Sequence, residues 1–343
     1  MRFNLVSEKG EGLGIAAHLS SEGHAVTMCL DTESVLGTGV VDRDNGAVAD
    51  VTIYDSDSYG KVADELRQEG KRVLGASRWA EAIENDEEYA RKVIDLIGWK
   101  KSKDNKGVNL YVTCWFNGVR FISTYCSLVY RRFMSGGRGP DVHHTGLVGN
   151  FYQPTERVFQ EIINPLEPIL KRVNHRGPFH VHTLVSGDEY SVSEISASFN
   201  SPLALLLYEN SKATTSNILL RLFDENSKSI QPIGQWASAV LVTVPPFPYE
   251  VDSESVPLKG IQTPALKHLW LIDAMRKGSD WSSAGLHGKI GYVTSRGDSL
   301  WESVKRVYRT IGNFEVRDLQ FRDDVGKDIN NLLDSLRTSG WIK

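Results

Sequence analysis

GDEYSVSEISASFNSP, residues 187–202, alternates polar and apolar positions like a half-buried β-strand and ends in a polar turn that closes at Pro202. Glu194 and Ser196 lie towards the end of this strand. A carboxylate held beside hydroxyl groups on a rigid strand can bind a hard divalent cation, which prefers oxygen ligands. The same alternation also fits an ordinary antiparallel strand with a solvated glutamate. The stretch by itself therefore leaves a weak metal site and a plain strand both open.

The size and composition of the chain indicate a globular protein with more than one domain. With 343 residues it exceeds the usual size of one hydrophobic core, and 41% of its residues are hydrophobic while 24% are charged. No segment approaches the roughly 20 consecutive apolar residues of a membrane span. The first residues, MRFNLVSEKGEGLGIAAHL, reach acidic side chains before any long apolar run, unlike a secretory signal. We expect a cytoplasmic protein that does not bind membranes.

The cysteines and the net charge exclude several classes of function. Cys29, Cys114 and Cys126 are isolated from one another and lack the spacing of a zinc site or a neighbouring histidine that would activate a thiol. The net charge of -4 argues against a general affinity for nucleic acid, because lysine and arginine supply most of that affinity. The adjacent Arg131 and Arg132 can form a local anion site or a solvated face.

The first part of the chain has the pattern of a Rossmann-like unit. An apolar strand at residues 3–6 is followed by Gly10, Gly12 and Gly14 and then by a helical pattern. Glycines in this position permit a tight turn and let a helix N-terminus face an anion. The spacing is not a complete GxGxxG, so the glycines either bind a nucleotide or only shape the turn. Further strands and a helix that stops at Gly70 predict a small doubly wound α/β domain over residues 1–76.

The remaining sequence predicts a mixed α/β architecture with a central domain (77–235) and a C-terminal domain (236–343). Asn117 and Gly118 join two strands in the strongest short hairpin signal, and a second hairpin turns at Gly187 and Asp188. The periodicity predicts one helix over 78–97, a loop over 100–107, a glycine-dense loop over 135–150, a helix over about 155–173, helical sequence over 203–223, strands at 179–185, 189–196 and 237–244, two later strands (HLWLI and KIGYVTSRG), and helices over 299–310 and 328–339.

Seven groups of segments occur in an order that is typical of a known family. They are GEGLGIAAHLSSEGHAV, YGKVADELRQEGKRVLGAS with AEAIENDEEYARKV, VTCWFNG, YRRFMSGGRGP with TGLVG, RGPFHVHTLV, SEISASF, and VTSRGDSLWESVKRVYRTIG with FRDDVG. Together they resemble the phosphoribosylamine-glycine ligase (glycinamide ribonucleotide synthetase) family of purine biosynthesis, and more closely its phage-encoded relatives. The resemblance implies an ATP-grasp-like scaffold with an N-terminal pre-ATP-grasp domain. In this family ATP activates a carboxylate as an acyl phosphate, which an amine then attacks.

The strand that holds metal in this family is altered here. The family sequence E-F-N-C-R-F-G-D-P-E matches residues 194–203, so that Glu194 is kept while serine stands at 196, 198 and 201 and leucine at 203. One carboxylate and a hydroxyl make a poor magnesium site, because charge count sets affinity. The family segment L-E-G-S-K matches residues 83–87 and places Glu87 where a phosphate-facing lysine is expected. The resemblance thus implies a weakened ATP site.

The lid of the family is expected to be missing. Between the helix and the first hairpin the family carries a mixed α/β subdomain with a glycine-rich phosphate loop, whereas this chain has only residues 99–107 in that interval. A connection this short does not fold into a separate lid. It is either a stump of the phosphate loop or a plain solvated connector.

A substrate-contacting loop of the family is partly retained. The matching residues are Arg131, Arg132, Gly139, Pro140, Thr145, Gly146 and Gly149. The segment DVHH, residues 141–144, replaces a single asparagine of the family, and its adjacent histidines point in different directions, which does not favour a two-histidine metal site. The retained glycines either contact substrate or only preserve the shape of the loop.

These observations predict a degenerate relative of the family without ATP-dependent ligase activity. We expect a binding, structural or regulatory protein that needs no cofactor and binds no nucleic acid. Its expected partners are a second copy of the chain, a full-length ATP-grasp protein or a small anionic ligand. The alternative is an active carboxylate-amine ligase, dependent on Mg and ATP, whose lid a partner subunit supplies.

Overall fold

The structure is a computed structural model that describes residues 1–31, 34–44, 46–100, 107–152, 155–249, 251 and 254–343. Within these residues the N-terminal part forms a parallel five-stranded sheet in the order β3-β2-β1-β4-β5. Its elements are β1 (Arg2–Ser7), α1 (Leu13–Ser21), β2 (Ala25–Leu30), β3 (Asp42–Arg43), β4 (Val51–Tyr54), α2 (Gly60–Gln68) and β5 (Val73–Leu74). The central strand β1 buries Phe3 and Leu5 completely. The Rossmann-like pattern of the sequence is confirmed.

The helix predicted over 78–97 is two helices, α3 (Arg78–Asn85) and α4 (Glu87–Ile97). Between them Asp86 is extended, with φ -121° and ψ 102°, and its side chain accepts a hydrogen bond of 3.0 Å from the Tyr89 amide. Aspartate is a preferred N-cap because it satisfies a free amide of the first turn. The prediction of a single helix was wrong because the apolar spacing continues across this cap.

The rest of the described chain is organised by an antiparallel eight-stranded sheet in the order β10-β9-β6-β7-β8-β11-β15-β12. The strands are β6 (Val108–Asn117), β7 (Phe121–Met134), β8 (Arg138–Asn150), β9 (Arg176–Ser186), β10 (Glu189–Ser196), β11 (Trp236–Thr243), β12 (Leu269–Leu271) and β15 (Lys289–Gly297); β13 (Met275–Lys277) and β14 (Asp280–Ser282) form a separate hairpin that the sequence did not predict. Strands from both sides of residue 236 share the large sheet. The boundaries proposed for the central and C-terminal domains stay predictions.

The glycine-dense segment 135–150 is mostly the long strand β8, where the sequence predicted a loop. It pairs with β7 over residues that include Gly146 and Gly149. A Cβ atom at Gly149 would lie 2.7 Å from Leu206 Cδ1, and one at Gly146 would lie 2.3 Å from Val325 Cγ2. The glycines therefore permit close packing against the strand, which glycine content alone does not distinguish from a loop.

The region predicted as one helix over 155–173 is broken into a π-helical segment (Phe159–Ile163), a 3₁₀ turn (Asn164–Leu166) and α5 (Glu167–Arg172). Pro165 and Pro168 lack the amide hydrogen that a continuous helix needs. The other helices are α6 (Pro202–Glu209), α7 (Thr215–Arg221), α8 (Thr263–Leu266), α9 (Leu300–Ile311) and α10 (Ile329–Thr338). Both predicted hairpins and the two final helices are confirmed, while the predicted helical stretch 203–223 is the pair α6 and α7.

Residues 98–107 connect α4 to β6. The loop predicted there falls largely on residues 101–106, which lie outside the described part of the chain. The Lys100 carbonyl accepts a hydrogen bond of 3.0 Å from the Val192 amide, so the connection starts along the edge strand β10. No helix in the described ranges is long and apolar enough to cross a membrane.

Candidate functional site

A cavity of about 290 Å³ lies where the N-terminal glycine-rich loop, the end of β10 and the face of the large sheet meet. Its lining includes charged, hydroxyl and imidazole groups but few apolar side chains. The polar and aromatic residues that line it are Glu11, Glu84, Tyr111, His143, His144, His180, His182, Glu194, Ser196, Ser198, Asn200, Ser201, Lys289 and Tyr292. The sheet face supplies the floor, and the glycine-rich loop and the segment after β10 supply the walls.

Histidines on β9 and β8, with Tyr111 of β6 between them, form the floor of the cavity. His180 and His182 lie on the same face of β9 because side chains two apart in a strand point to one side. The Tyr111 ring on β6 stacks on His182, with ring centroids 4.3 Å apart and planes 6° from parallel. His144 on β8 brings its ring to 5.7 Å from that of Tyr111. Side chains from three strands thus meet in one aromatic cluster.

The imidazoles of the floor are uncharged at neutral pH. Burial lowers the pKa of His144 to about 3 and that of His180 to about 3, although the backbone of Ser198 partly opposes the second shift. Burial, together with the nearby Arg131 guanidinium, lowers the pKa of His182 to about 4. Desolvation disfavours the charged form of a histidine. The floor therefore presents neutral hydrogen-bonding groups.

Arg131 connects four groups at one side of the cavity. Its Nε donates to Asp141 Oδ2 at 3.0 Å, its Nη1 donates to the Tyr111 hydroxyl at 3.0 Å, and its Nη2 lies 3.0 Å from His143 Nδ1. Its Nη1 also lies 3.7 Å from Glu194 Oε2. The carboxylate that the sequence singled out as a metal candidate therefore faces a guanidinium of the same chain.

The opposite wall is built around Glu11 of the glycine-rich loop. Lys289 Nζ on β15 donates to Glu11 Oε1 at 2.9 Å, and Asn200 Nδ2 donates to Glu11 Oε2 at 2.8 Å. The backbone amide of Asn200 and the hydroxyl group of Ser198 both donate to the backbone carbonyl of Asp55 at 2.9 Å. These bonds join the N-terminal sheet to the segment that follows β10.

Asp55, at the end of β4, supports the glycine-rich loop from below. Its Oδ2 accepts hydrogen bonds from the Gly12 amide at 2.7 Å and from the Ser7 hydroxyl, while its Oδ1 is buried without a partner. Burial raises the pKa of Asp55 to about 7. A Cβ atom at Gly12 would lie 2.5 Å from Leu5 Cδ2 and 2.7 Å from Asp55 Oδ2, so the loop needs glycine there. The glycine-rich loop is accordingly a tight turn over a buried carboxyl group.

Of the residues that the sequence singled out, Glu194 and Ser196 line the cavity, and Arg131 lies beside Glu194 at its edge. The others lie elsewhere. On the exposed arm formed by β7 and β8, Arg132 donates to the Gly139 carbonyl at 3.0 Å and Pro140 is exposed beside it, while the Thr145 hydroxyl donates to the Tyr130 and Arg132 carbonyls. The remaining glycines have packing contacts: Gly146 with Val325, Gly149 with Leu206, Gly10 with Leu36 and Gly14 with Trp270. The roles of the predicted residues in binding stay predictions.

Several cavity residues were missed in the sequence, among them Tyr111, His180, His182, Glu11 and Lys289. The alternation His-Val-His within strand 179–185 was the one usable signal, since it places two imidazoles on one face. Nothing local to Glu11 or Lys289 indicates their contact, because it joins residues 278 positions apart. In the described ranges no group of three or more His, Cys, Asp or Glu residues is arranged to hold a metal ion.

The arrangement of a parallel N-terminal sheet followed by a large antiparallel sheet is shared with several solved enzymes. Phosphoribosylamine-glycine ligase from Thermotoga maritima superposes with a TM-score of 0.74 at 13% identity, covering 94% of this chain and 100% of that chain. The chain has an ATP-grasp-like fold. The biotin carboxylase domain of a single-chain bacterial carboxylase gives 0.64 at 11% identity, covering 99% of each. N5-carboxyaminoimidazole ribonucleotide synthetase from Thermotoga maritima gives 0.57 at 12% identity, covering 92% and 99%.

The ATP-grasp-like fold expected from the sequence is confirmed by these neighbours. No protein-family model matches the sequence, and no curated protein matches it. Identities of 11–13% show the fold and leave the activity open, since one fold supports many functions. The closer resemblance to phage-encoded relatives and the loss of the lid stay predictions.

Proposed function

We propose that this ATP-grasp-like chain does not carry out ATP-dependent ligation and acts instead as a binding or regulatory protein, with the cavity as its ligand site. The observation that carries the proposal is the contact between Arg131 and Glu194, whose charged atoms lie 3.7 Å apart. Glu194 occupies the position that matches the metal strand of the family. The positively charged side chain of Arg131 therefore already pairs with this carboxylate.

The charge balance at Glu194 opposes a magnesium ion. At an effective dielectric constant of 20, two unit charges 4 Å apart interact by about 4 kcal/mol, so a divalent ion near Arg131 meets repulsion as well as attraction. The neighbouring cavity side chains of the same segment, Ser196, Ser198 and Ser201, contribute hydroxyl groups and no further negative charge. A carboxylate that already pairs with a guanidinium and is flanked by hydroxyl groups is a weak ligand set for Mg²⁺, because ligand charge sets affinity.

The position that matches a phosphate-facing lysine of the family supports the same conclusion. Glu87 lies in the first turn of α4, its side chain is 81% exposed, and its carboxylate pairs with Arg91 one turn along the helix. Acidic residues in the first turn of a helix stabilise it through the helix dipole. Glu87 thus serves the helix, and its negative charge would repel a triphosphate.

The proposal is tested by calorimetric titration of the protein with ATP and Mg²⁺, accompanied by thermal unfolding in their presence. We expect no binding heat and an unchanged melting temperature at millimolar nucleotide. A ligand at 100 times its Kd would stabilise the folded state by about 2.7 kcal/mol, which both methods detect. Saturable, magnesium-dependent binding would overturn the proposal and favour the alternative, an active carboxylate-amine ligase whose lid comes from a partner subunit.

A protein partner remains part of the proposal. A second copy of the chain or a full-length ATP-grasp protein would cover surface beside residues 98–107, in the cytoplasmic setting expected from the sequence. Light scattering after size-exclusion chromatography measures the mass of the purified protein, alone and after mixing with such a partner. A monomer in every condition would remove the partner role and leave ligand binding.

A further inference from the structure

We propose that the cavity binds an uncharged, polyhydroxylated molecule of about monosaccharide size. The inference rests on the proposed function, since it assigns a ligand to the same cavity. It follows from three properties of the lining: its charged groups have partners within the chain, its buried unpartnered atoms are imidazole nitrogens, and its volume admits one sugar ring.

The charged groups of the cavity already have partners within the chain. Glu84 accepts a hydrogen bond of 3.3 Å from the Ala197 amide, and the other charged groups form ion pairs. Glu11 binds Lys289 at 2.9 Å, and Arg131 binds Asp141 at 3.0 Å and lies 3.7 Å from Glu194. An anionic ligand would lose water on entering and would have to break one of these pairs to find an opposite charge. A cationic ligand would meet the ammonium group of Lys289 and the guanidinium group of Arg131 as well as the carboxylates. Desolvating a charge without a new partner is costly, whereas hydroxyl groups lose far less.

The neutral atoms that lack partners are imidazole nitrogens. The Nε2 atoms of His144 and His180 are buried without hydrogen-bond partners, and both residues line the cavity. His180 is 1% exposed, and its Nδ1 lies 3.0 Å from Thr113 Oγ1. The Ser198 backbone lies near the ring but does not complete a hydrogen bond to Nε2. A neutral imidazole nitrogen donates or accepts a hydrogen bond according to its tautomer, and a hydroxyl group can act as the acceptor or the donor in return. A polyol therefore matches both atoms whichever tautomer is present.

The size and the remaining lining agree with this ligand. A cavity volume of about 290 Å³ admits a molecule of the size of one sugar ring. Ser196, Ser198 and Ser201 add hydroxyl groups along one wall, each able to donate and to accept. The anionic ligand expected from the sequence relied on Arg131 and Arg132, whose guanidinium groups bind Asp141 and the Gly139 carbonyl.

The test is calorimetric titration with neutral sugars and their charged counterparts. Glucose and galactose form the neutral set. Glucuronate and glucosamine, with galacturonate and galactosamine, keep the ring and add one negative or one positive charge. We expect at least one neutral compound to bind at millimolar concentration or below, and at least about tenfold tighter than its charged counterparts, a difference of about 1.4 kcal/mol.

Variants locate the binding site. In His180→Asn the amide takes the place of Nδ1 beside Thr113 while Nε2 is removed, and His144→Asn removes the second unpartnered nitrogen. We expect each to weaken binding of the best sugar at least about tenfold with the far-ultraviolet circular dichroism unchanged. His24→Asn, in the N-terminal domain beside Phe3, is the matched control and should bind like the wild type.

The inference is overturned if no neutral compound binds, if a charged counterpart binds equally well, or if both cavity variants bind like the control. Glucuronate binding tighter than glucose would indicate an anion site. The titration with ATP and Mg²⁺ separates the two proposals. Nucleotide binding without sugar binding would defeat the proposed function, whereas no binding of either would defeat the sugar inference alone.

Discussion

Replacing Asp55 with asparagine is expected to change how the stability of the protein depends on pH. The carboxyl group is 1% exposed, holds the Gly12 amide and the Ser7 hydroxyl, and leaves Oδ1 without a partner. Burial raises its pKa from 3.8 to about 7. Asparagine keeps the shape and an acceptor oxygen for the Gly12 amide, but it carries no titratable proton.

The sign and size of the effect follow from the two pKa values. Because the folded state holds the Asp55 proton more tightly than the unfolded chain, its stabilising contribution is complete below pH 3.8 and is lost as the pH rises to about 7. At 1.36 kcal/mol for each pKa unit, the loss is about 4 kcal/mol, an order-of-magnitude figure for a fully buried group. The Asp55→Asn variant lacks this loss.

The assay is urea unfolding of both proteins at a series of pH values from 4 to 8. The free-energy difference between variant and wild type should move in favour of the variant by about 4 kcal/mol across this range and stay level above pH 7. The buried histidines have lowered pKa values and give the opposite slope, with stability rising between about pH 3 and 6.5. They are present in both proteins, so the difference isolates Asp55.

Parallel stability curves would refute the reasoning, since they would mean that Asp55 does not change its protonation between pH 4 and 8 in the folded protein. Asp280→Asn, at an exposed position in β14, is the matched control and should run parallel to the wild type. A variant that is less stable than the wild type at every pH would show that the hydrogen bonds of the carboxyl group matter more than its charge.

Three further outcomes are expected. Arg322→Leu should lower the free energy of unfolding by about 3 kcal/mol, because Asp324, which Arg322 binds at 2.7 and 2.8 Å, would lose its cationic partner while partly buried. An unchanged midpoint of urea unfolding would contradict this. Gly12→Ala should cost about 1–3 kcal/mol because its Cβ has no room, whereas Gly312→Ala, where the nearest atom is 3.3 Å away, should change thermal stability much less. With a thiol reagent near neutral pH, only Cys29 should react in the native protein, since it is partly exposed whereas the other two cysteines are buried; reaction of all three before unfolding would be inconsistent with the fold.

The elements of the fold were largely predictable because their signals are local. The hairpin at Asn117 and Gly118 follows from a backbone that needs positive φ, and Gly118 has φ +89°. The final helices follow from apolar spacing alone. The errors in the predicted elements occurred where a local signal has two meanings. Asp86 begins a new helix inside one continuous apolar pattern, so two helices were predicted as one. The glycines before Asn150 lie in a strand against which other elements pack closely, although their number predicted a loop.

The cavity was only partly predictable. Glu194 and Arg131 were singled out for different reasons, as a metal candidate and as a substrate-loop candidate, and nothing in the sequence indicated that they bind each other. Whether a carboxylate meets a metal or a guanidinium depends on the order of strands in the sheet. That order is set by long-range pairing, which local patterns do not encode.

The sequence by itself determined the periodic elements, the Rossmann-like start and the serines that follow Glu194, because each depends on neighbouring residues. Only the tertiary structure brings the rings of Tyr111, His144 and His182 together on one surface. It also places Lys289 where its ammonium group donates to Glu11. The sheet brings strands from distant parts of the chain side by side, and burial there removes the charge of histidines that would titrate near neutrality in water.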